Sequence, residues 1–171
     1  MHLKYVSGTG FKKLKTFRNI FVIDHPRKPG SWYYVSTYKN FKNQKDKFFK
    51  LIGKYGQEEL RRKWDFHHIV EGQHLKPFFT DEEEFGDYYN YVWPTVLINK
   101  LEHQYRYNSV LHNEETEILF PIRKDISVKK KLNYLKSLYS EAYSDDSVLL
   151  RIAKNVISDL TALVETEHST A

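Results

Sequence analysis

The 171-residue chain is 40% hydrophobic and 29% charged, so it can bury one core, which excludes a wholly disordered polypeptide. The absence of cysteine excludes disulfide bonds and cysteine-based zinc sites. No apolar run reaches the roughly 18 residues of a membrane-spanning helix, so we expect a soluble protein that does not use a membrane.

Basic residues are concentrated in the N-terminal region. Residues 1–63 contain 16 Lys and Arg against four Asp and Glu, whereas the other 108 residues contain 11 against 18. The overall charge is +5, and aromatic residues make up 16% of the chain. This asymmetry predicts that the N-terminal region faces a nucleic acid.

The N-terminal region is predicted to form a basic arm or loop over 1–18 that leads into a β-hairpin and a helix. Two β-branched and aromatic runs, 19–23 and 31–38, are separated by Pro and Gly turn residues and predict the hairpin. Residues 41–53 predict an amphipathic helix, and 57–63 a shorter one. The helix over 41–53 has an apolar face of Phe41, Phe48, Phe49 and Ile52, with Lys42, Lys45, Lys47 and Lys50 mostly opposite.

The rest of the chain alternates between extended and helical patterns. We expect an extended segment over 64–70, a long polar connection over 71–91, a strand over 95–99 and a helix over 101–111. Residues 127–164 have the apolar spacing of two helices, separated at 144–147 where a Ser or Asp can cap the second. These elements predict a single α+β domain.

The most informative stretch is Trp-Asp-Phe-His-His-Ile-Val-Glu at residues 64–71. Adjacent histidines on a strand point to opposite faces, so His67 and His68 cannot both lie in the core. One imidazole can bind a metal while the other holds a water molecule. Downstream, a strand passes directly into a helix that begins near His103.

The run from His67 to Glu71, followed by Ile98 and His103, resembles the His-Me finger (HNH) nuclease superfamily. The closest resemblance is to toxin domains of bacterial polymorphic and contact-dependent systems. It covers roughly residues 64–112 and implies a ββα-metal finger there. The basic region over 1–63 and the helical region over 127–165 would flank the finger within the same domain.

The resemblance assigns unequal roles to the histidines. It makes His67 the first metal ligand, His103 the second, and His68 the general base that activates water. Mg²⁺ is the implied ion, with Mn²⁺ or Zn²⁺ as alternatives, contacting a phosphate oxygen and the leaving 3′ oxygen. The implied activity is endonucleolytic cleavage of nucleic acid, with DNA favoured over RNA. A toxin or defence role would imply a cytoplasmic site of action, and for a toxin also delivery and an immunity partner.

Two positions depart from the family pattern. An asparagine usually begins the second strand and orients the general base, but Pro94 or Thr95 holds that place here. Colicin-type DNases have another helix histidine where this chain has Tyr107. The site is therefore expected to be poor in ligands, which favours weakly held Mg²⁺.

Further residues are assigned supporting roles. Asp65, Glu71 and Asn99 are candidate partners of the ligands, and His74 and His112 are expected to be surface histidines. The candidates for phosphate contacts are Lys42, Lys45, Lys50, Arg61, Arg62 and Lys63.

Two alternatives stay open at this point. A degenerate finger would make the chain a non-catalytic nucleic-acid-binding or interaction module. Phe21-Val22-Ile23 followed by Trp32-Tyr33-Tyr34-Val35-Ser36 also bears a weaker resemblance to the two-strand core of GIY-YIG nucleases.

Overall fold

A computed structural model describes residues 3–52, 62–103, 107–112 and 126–169. The strands are β1 (Lys12–Lys13), β2 (Phe21–Asp24), β3 (Trp32–Thr37), β4 (Trp64–His68) and β5 (Pro94–Asn99). They form one antiparallel sheet in the order β1-β2-β3-β5-β4, so β4 lies at an edge.

Helices occupy much of the remaining described chain. They are α1 (Tyr38–Ile52), α2 (Gly72–Leu75), α3 (Glu82–Asp87), α4 (Lys100–Glu102), α5 (Asn108–Leu111), α6 (Val128–Ala142) and α7 (Ser147–Ser169). Short 3₁₀ turns cover Leu3–Tyr5 and Lys76–Phe78, and a π-helical turn covers Tyr88–Val92. The caps follow from side-chain chemistry: the Asp81 carboxylate accepts from two amides of α3, and Asp146 accepts from the Leu149 amide of α7.

Strand alternation separates the molecule into two layers around the sheet. Tyr34, Leu97 and Phe66 lie in one register row, on the face that α1 covers. Phe41 and Phe49 of α1 stack on Phe66, with ring centroids 4.8 and 5.9 Å apart. This side is a small aromatic core beneath a basic helix.

The opposite face supports the larger core. Val35 and Val96 occupy the next register row and pack in one buried cluster with the apolar residues of α6 and α7. His67 is in register with Val96, so it points to the same face. Among the described residues, no helix combines the length and apolar character needed to cross a membrane.

The predicted hairpin is present, with Phe21 opposite Val35, and the α+β class is confirmed. The two C-terminal helices are also present, separated as expected before Ser147. The predicted helix over 101–111 is described only as α4 and α5, since 104–106 lie outside the described residues. The helix predicted over 57–63 falls almost entirely outside them.

Two segments are more closely packed than their sequence indicated. Within the predicted arm or loop, Tyr5, Val6 and Phe17 are buried, and the Tyr5 hydroxyl donates to Asp159 of α7. The connection predicted over 71–91 folds into α2, α3 and the turns beside them. In both segments aromatic side chains pack against the helices. The many polar residues in these segments make that packing hard to predict from the sequence.

Candidate metal centre

The end of β4 brings the adjacent histidines to the edge of the sheet. His67 pairs with Val96 and His68 with Thr95. Both imidazoles are buried, so the expectation that adjacent histidines on a strand cannot both be buried was wrong, because packed layers cover both faces of the sheet. The strand edge opens into a cleft of about 490 Å³ that both histidines line. Glu71, Tyr89 and His103 line the same cleft.

His67 is held by a tyrosine from the C-terminal layer. Its Nε2 lies 3.0 Å from the Tyr143 hydroxyl oxygen, and that hydroxyl donates to the Ile69 carbonyl at 2.6 Å. Because the tyrosine proton goes to a carbonyl, His67 Nε2–H must donate and Nδ1 keeps its lone pair. Burial lowers the pKa of His67 well below its ordinary value, and His103 and His68 act in the same direction. The imidazole is therefore neutral, as a metal ligand must be.

His103 follows α4 and faces His67, with ring centroids 4.2 Å apart. Its Nδ1 lies 3.8 Å from the Asp65 carboxylate, on the side where a carboxylate can orient a ligating imidazole. Its Nε2 is buried and has no hydrogen-bond partner among the described residues. An unpartnered buried nitrogen is costly unless something else binds it, and a metal ion would do so.

Glu71 completes a group of three potential ligands. One ligand atom each from His67, Glu71 and His103 lies within 4.8 Å of the others. Metal–nitrogen and metal–oxygen bonds of about 2.0–2.2 Å require donors somewhat closer together, so modest closure would form a site. The three residues therefore fit a divalent ion.

His68 has a different kind of support. Its Nε2 lies 3.0 Å from the Tyr89 carbonyl oxygen, which can only accept, so Nε2–H donates and Nδ1 keeps its lone pair. Thr95, directly opposite in the ladder, does not orient His68, because its buried hydroxyl has no hydrogen-bond partner among the described residues. The hydrogen-bond partner of His68 is thus a backbone carbonyl and not a side chain at position 94 or 95.

Pro94 helps to explain why the Tyr89 carbonyl is available. The carbonyl belongs to the π-helical turn, where the Trp93 N–H donates to Tyr88 at 2.9 Å. The next amide along the chain would be that of Pro94, which has no N–H. The Tyr89 carbonyl can therefore accept from His68.

Aromatic rings enclose the His68 imidazole. The Tyr89 ring stacks on it with centroids 3.9 Å apart, and the Tyr38 ring lies 5.3 Å away. Burial lowers the pKa of His68 to about 4, so the imidazole is neutral at pH 7 and can accept a proton. Gly72 makes this arrangement possible, because a Cβ there would lie 2.6 Å from the Tyr89 ring.

Other predicted site residues occupy different positions. The Asn99 side chain accepts from the Leu101 amide and caps α4, so it supports the helical turn before His103 without touching the histidines. Tyr107 directs its hydroxyl to Arg27 and Asp146, and only its ring lies over His67, at 6.5 Å. His74 is fully buried, so the expectation of a surface histidine was wrong there.

The predicted phosphate-contacting residues lie along α1 and the start of β4. Lys42, Lys50, Arg62 and Lys63 are exposed, whereas Lys45 is half-buried beside the Phe48 and Phe49 face. Arg61 lies outside the described residues. The Lys42 ammonium is 4.8 Å from the Tyr38 ring centroid, so this cation lies one aromatic ring away from His68.

The tyrosines of the β2–β3 hairpin lie away from this cleft. Tyr33 is buried and its hydroxyl donates to Asp146 at 2.6 Å, while Tyr34 packs edge-on against Phe48. Arg27 also binds Asp146 and, through its other nitrogen, Glu102. This part-buried network fixes Glu102, the residue next to His103.

Sequence reasoning missed several contributors. Glu71 was predicted as a supporting residue but belongs to the donor group, and His112 contacts its carboxylate. For Glu71 the sequence did contain a signal. It follows His67 closely in the chain, and a chain that turns back after the end of a strand can bring two such residues together. Tyr143 and the Tyr89 carbonyl gave none, since neither lies near the motif in sequence. Compared with known proteins, the chain matches no family model, no curated protein and no solved structure.

Proposed function

We propose that this protein is a metal-dependent endonuclease of the His-Me finger type. The observation that carries the proposal is the convergence of His67, Glu71 and His103 in one cleft with His68, whose Nε2 is anchored. The order β4, β5, α4, with His103 directly after the helical turn, is compatible with a ββα-metal finger. In such a finger the functional side chains would come from both faces of the edge strand β4, with His67 on one face and His68 on the other.

In this proposal His68 is the general base. Its Nδ1 accepts a proton from water as the water oxygen forms a bond to phosphorus and the bond to the leaving oxygen breaks. The Tyr89 carbonyl holds Nε2–H, so the imidazolium that forms keeps a hydrogen-bond acceptor. The rings of Tyr38 and Tyr89 exclude bulk water from the imidazole.

The metal would be held by His67, Glu71 and His103. When bound, it would supply Lewis-acid stabilisation of charge on the phosphate and the leaving oxygen. The resemblance implies Mg²⁺, but two imidazoles and a carboxylate suit Zn²⁺ or Mn²⁺ better. With Glu71 as a third ligand, we therefore expect Zn²⁺ or Mn²⁺ to bind in preference to the weakly held Mg²⁺ that two histidines alone predicted.

The basic face of α1 would hold the nucleic-acid backbone. Lys42 and Lys50 are exposed on the layer to which His68 belongs. With a His68→Ala protein, we expect binding of duplex DNA to weaken as salt rises. Lys42→Gln combined with Lys50→Gln should reduce the salt slope by about two.

Lys136→Gln combined with Lys154→Gln is the matched control, because it removes the same charge from the α6–α7 layer. Fluorescence anisotropy at several salt concentrations measures both slopes. Equal slopes for the two double variants would contradict a binding face on α1.

The cleavage test uses supercoiled plasmid and single-stranded RNA. Protein stripped with EDTA is supplied with Mg²⁺, Mn²⁺ or Zn²⁺, and wild type is compared with His68→Ala, His103→Ala and a surface control, Asn133→Ala. We expect cleavage only with metal, a loss of about 10²–10⁴-fold in His68→Ala, and a loss in His103→Ala. Circular dichroism checks that each variant is folded.

Cleavage in EDTA, or full activity in His68→Ala, would contradict the mechanism. If metal-loaded wild type binds nucleic acid but cleaves neither substrate, the chain is the non-catalytic binding module. Plasmid and RNA together also decide between DNA and RNA as substrate.

A further inference from the structure

The Glu71 carboxylate is held by two other side chains in the cleft. Gln73 Nε2 donates to Glu71 Oε2 at 2.8 Å, and His112 Nε2 lies 3.1 Å from Oε1 and 3.0 Å from Oε2. Gln73 Nε2 also lies 3.0 Å from His112 Nδ1. Glu71, Gln73 and His112 thus form a closed group, the carboxylate triangle, in which each residue contacts the other two.

The donors and acceptors of the carboxylate triangle are mutually consistent. An amide nitrogen donates, so His112 Nδ1 is the acceptor in its contact with Gln73. His112 Nε2 then carries the proton and donates it to the Glu71 carboxylate. Because His112 lies near both carboxylate oxygens, one oxygen can bind a metal while the other keeps the histidine.

The main chain of Glu71 is fixed separately. Its amide donates to the Tyr139 hydroxyl of α6 at 2.8 Å. Glu71 occupies the N-cap position of α2, yet its side chain makes no cap hydrogen bond. The carboxylate therefore does not serve the helix and is directed to His112 and Gln73.

We propose that Gln73 and His112 are positioning residues that hold Glu71 as the third ligand of a divalent metal. This inference rests on the proposed metal site of His67, Glu71 and His103. Partners of this kind raise metal affinity because the carboxylate does not lose rotational freedom on binding. Gln73 lies two residues after the end of the motif that suggested the nuclease, whereas His112 follows Glu71 by 41 residues.

The test measures metal binding and requires no nuclease activity. The full chain is titrated with Zn²⁺ against a chromophoric chelator, and Co²⁺ absorption reports the donor set. We expect His112→Ala to weaken Zn²⁺ binding about 10–100-fold, Gln73→Ala less, and His112→Gln to recover part of the loss. Asn133→Ala on the outer face of α6 is the control, and the melting temperature of each metal-free variant is measured.

If His112 positions Glu71 and is not itself a metal ligand, two further results are expected for the His112→Ala protein. The metal-free His112→Ala protein should melt close to wild type, because this side chain is 38% exposed and its contacts are at the surface. Its Co²⁺ bands at saturation should stay in place, because the three donors are unchanged. A Zn²⁺ affinity within about twofold of wild type in both alanine variants would overturn the inference, as would Co²⁺ bands that move in His112→Ala.

The inference and the proposed function can fail separately. A wild type that binds no Zn²⁺ overturns the inference, while cleavage with Mg²⁺ or Mn²⁺ would still support the nuclease. A wild type that binds Zn²⁺ with the expected variant pattern, yet cleaves no nucleic acid, supports the carboxylate triangle and overturns the nuclease.

Discussion

His67 and His68 are neighbours in the chain, but they belong to different layers of the molecule. His67 faces the large core under α6 and α7 and is held by a side chain, the Tyr143 hydroxyl. His68 faces the aromatic layer of α1 and is held by a backbone carbonyl that belongs to a short π-helical turn. One histidine depends on distant packing and the other on local backbone geometry.

The two arrangements nevertheless give the same chemical result. In both histidines Nε2–H donates toward a carbonyl, directly for His68 and through Tyr143 to Ile69 for His67. Both therefore keep a lone pair on Nδ1. An edge strand can therefore present two imidazoles of one tautomer to a single cleft from opposite faces.

Removing each histidine in turn tests most directly whether the two have different roles. We expect His68→Ala to lose about 10²–10⁴-fold in cleavage while it binds Zn²⁺ as wild type does, because in the proposed mechanism this substitution removes only the base. His67→Ala should lose both Zn²⁺ binding and cleavage. Chelator competition and plasmid nicking measure the two properties, and a loss of Zn²⁺ binding in His68→Ala equal to that in His67→Ala would contradict the division of roles.

The His68 side can be perturbed without touching the histidine. Gly72→Ala places a Cβ 2.6 Å from the Tyr89 ring, so the ring must move, and His68 with it. We expect cleavage to fall by up to about 10²-fold and stability by about 1–3 kcal/mol, with Zn²⁺ binding retained. Kinetic assays and urea unfolding measure these effects.

Gly86→Ala is the matched control, because a Cβ there meets nothing within 4 Å and Ala suits helix α3 better than Gly. It should leave cleavage unchanged and not destabilise the fold. Equal activity in the two variants would show that the Tyr89 ring does not hold His68.

The His67 side depends on the Tyr143 hydroxyl. Tyr143→Phe leaves His67 Nε2–H and the Ile69 carbonyl without this partner, so we expect about 1–3 kcal/mol less stability and about 10–100-fold weaker Zn²⁺ binding. Tyr5→Phe, which removes a hydroxyl bonded to Asp159, is the control. It should lower stability alone, and an equal fall in Zn²⁺ affinity in both variants would argue against a specific role for Tyr143.

The sequence predicted the parts of this site that are local in the chain. Period-two alternation placed His67 and His68 on opposite faces, and the run before His103 predicted a strand that leads into a helix. The supports could not be predicted, because Tyr143 and His112 reach the cleft only through tertiary packing. Pro94 is the clearest example of what the sequence could not predict. In the sequence, Pro94 indicated that His68 has no side chain to orient it. In the structure, the missing N–H of Pro94 leaves the Tyr89 carbonyl able to accept from His68.

His74 extends the comparison to a second histidine on the C-terminal side. Its Nδ1 lies 2.7 Å from the Tyr139 hydroxyl, four residues before Tyr143, so the same stretch of chain holds both histidines through tyrosines. Burial lowers the pKa of His74 to about 4. The unfolded chain therefore binds a proton as pH falls below about 6.5, while the folded protein resists protonation until about pH 4.

This difference makes acid destabilising within that window, by about 1.4 kcal/mol per pH unit for each such histidine. His74→Gln cannot titrate, so its stability should fall less steeply than that of wild type. Urea unfolding in EDTA at pH 7, 6 and 5 measures both slopes. The variant should begin less stable at pH 7, because its contact with Tyr139 is altered, and approach wild type at pH 5. A constant gap across the three pH values would mean that His74 does not resist protonation in the folded protein.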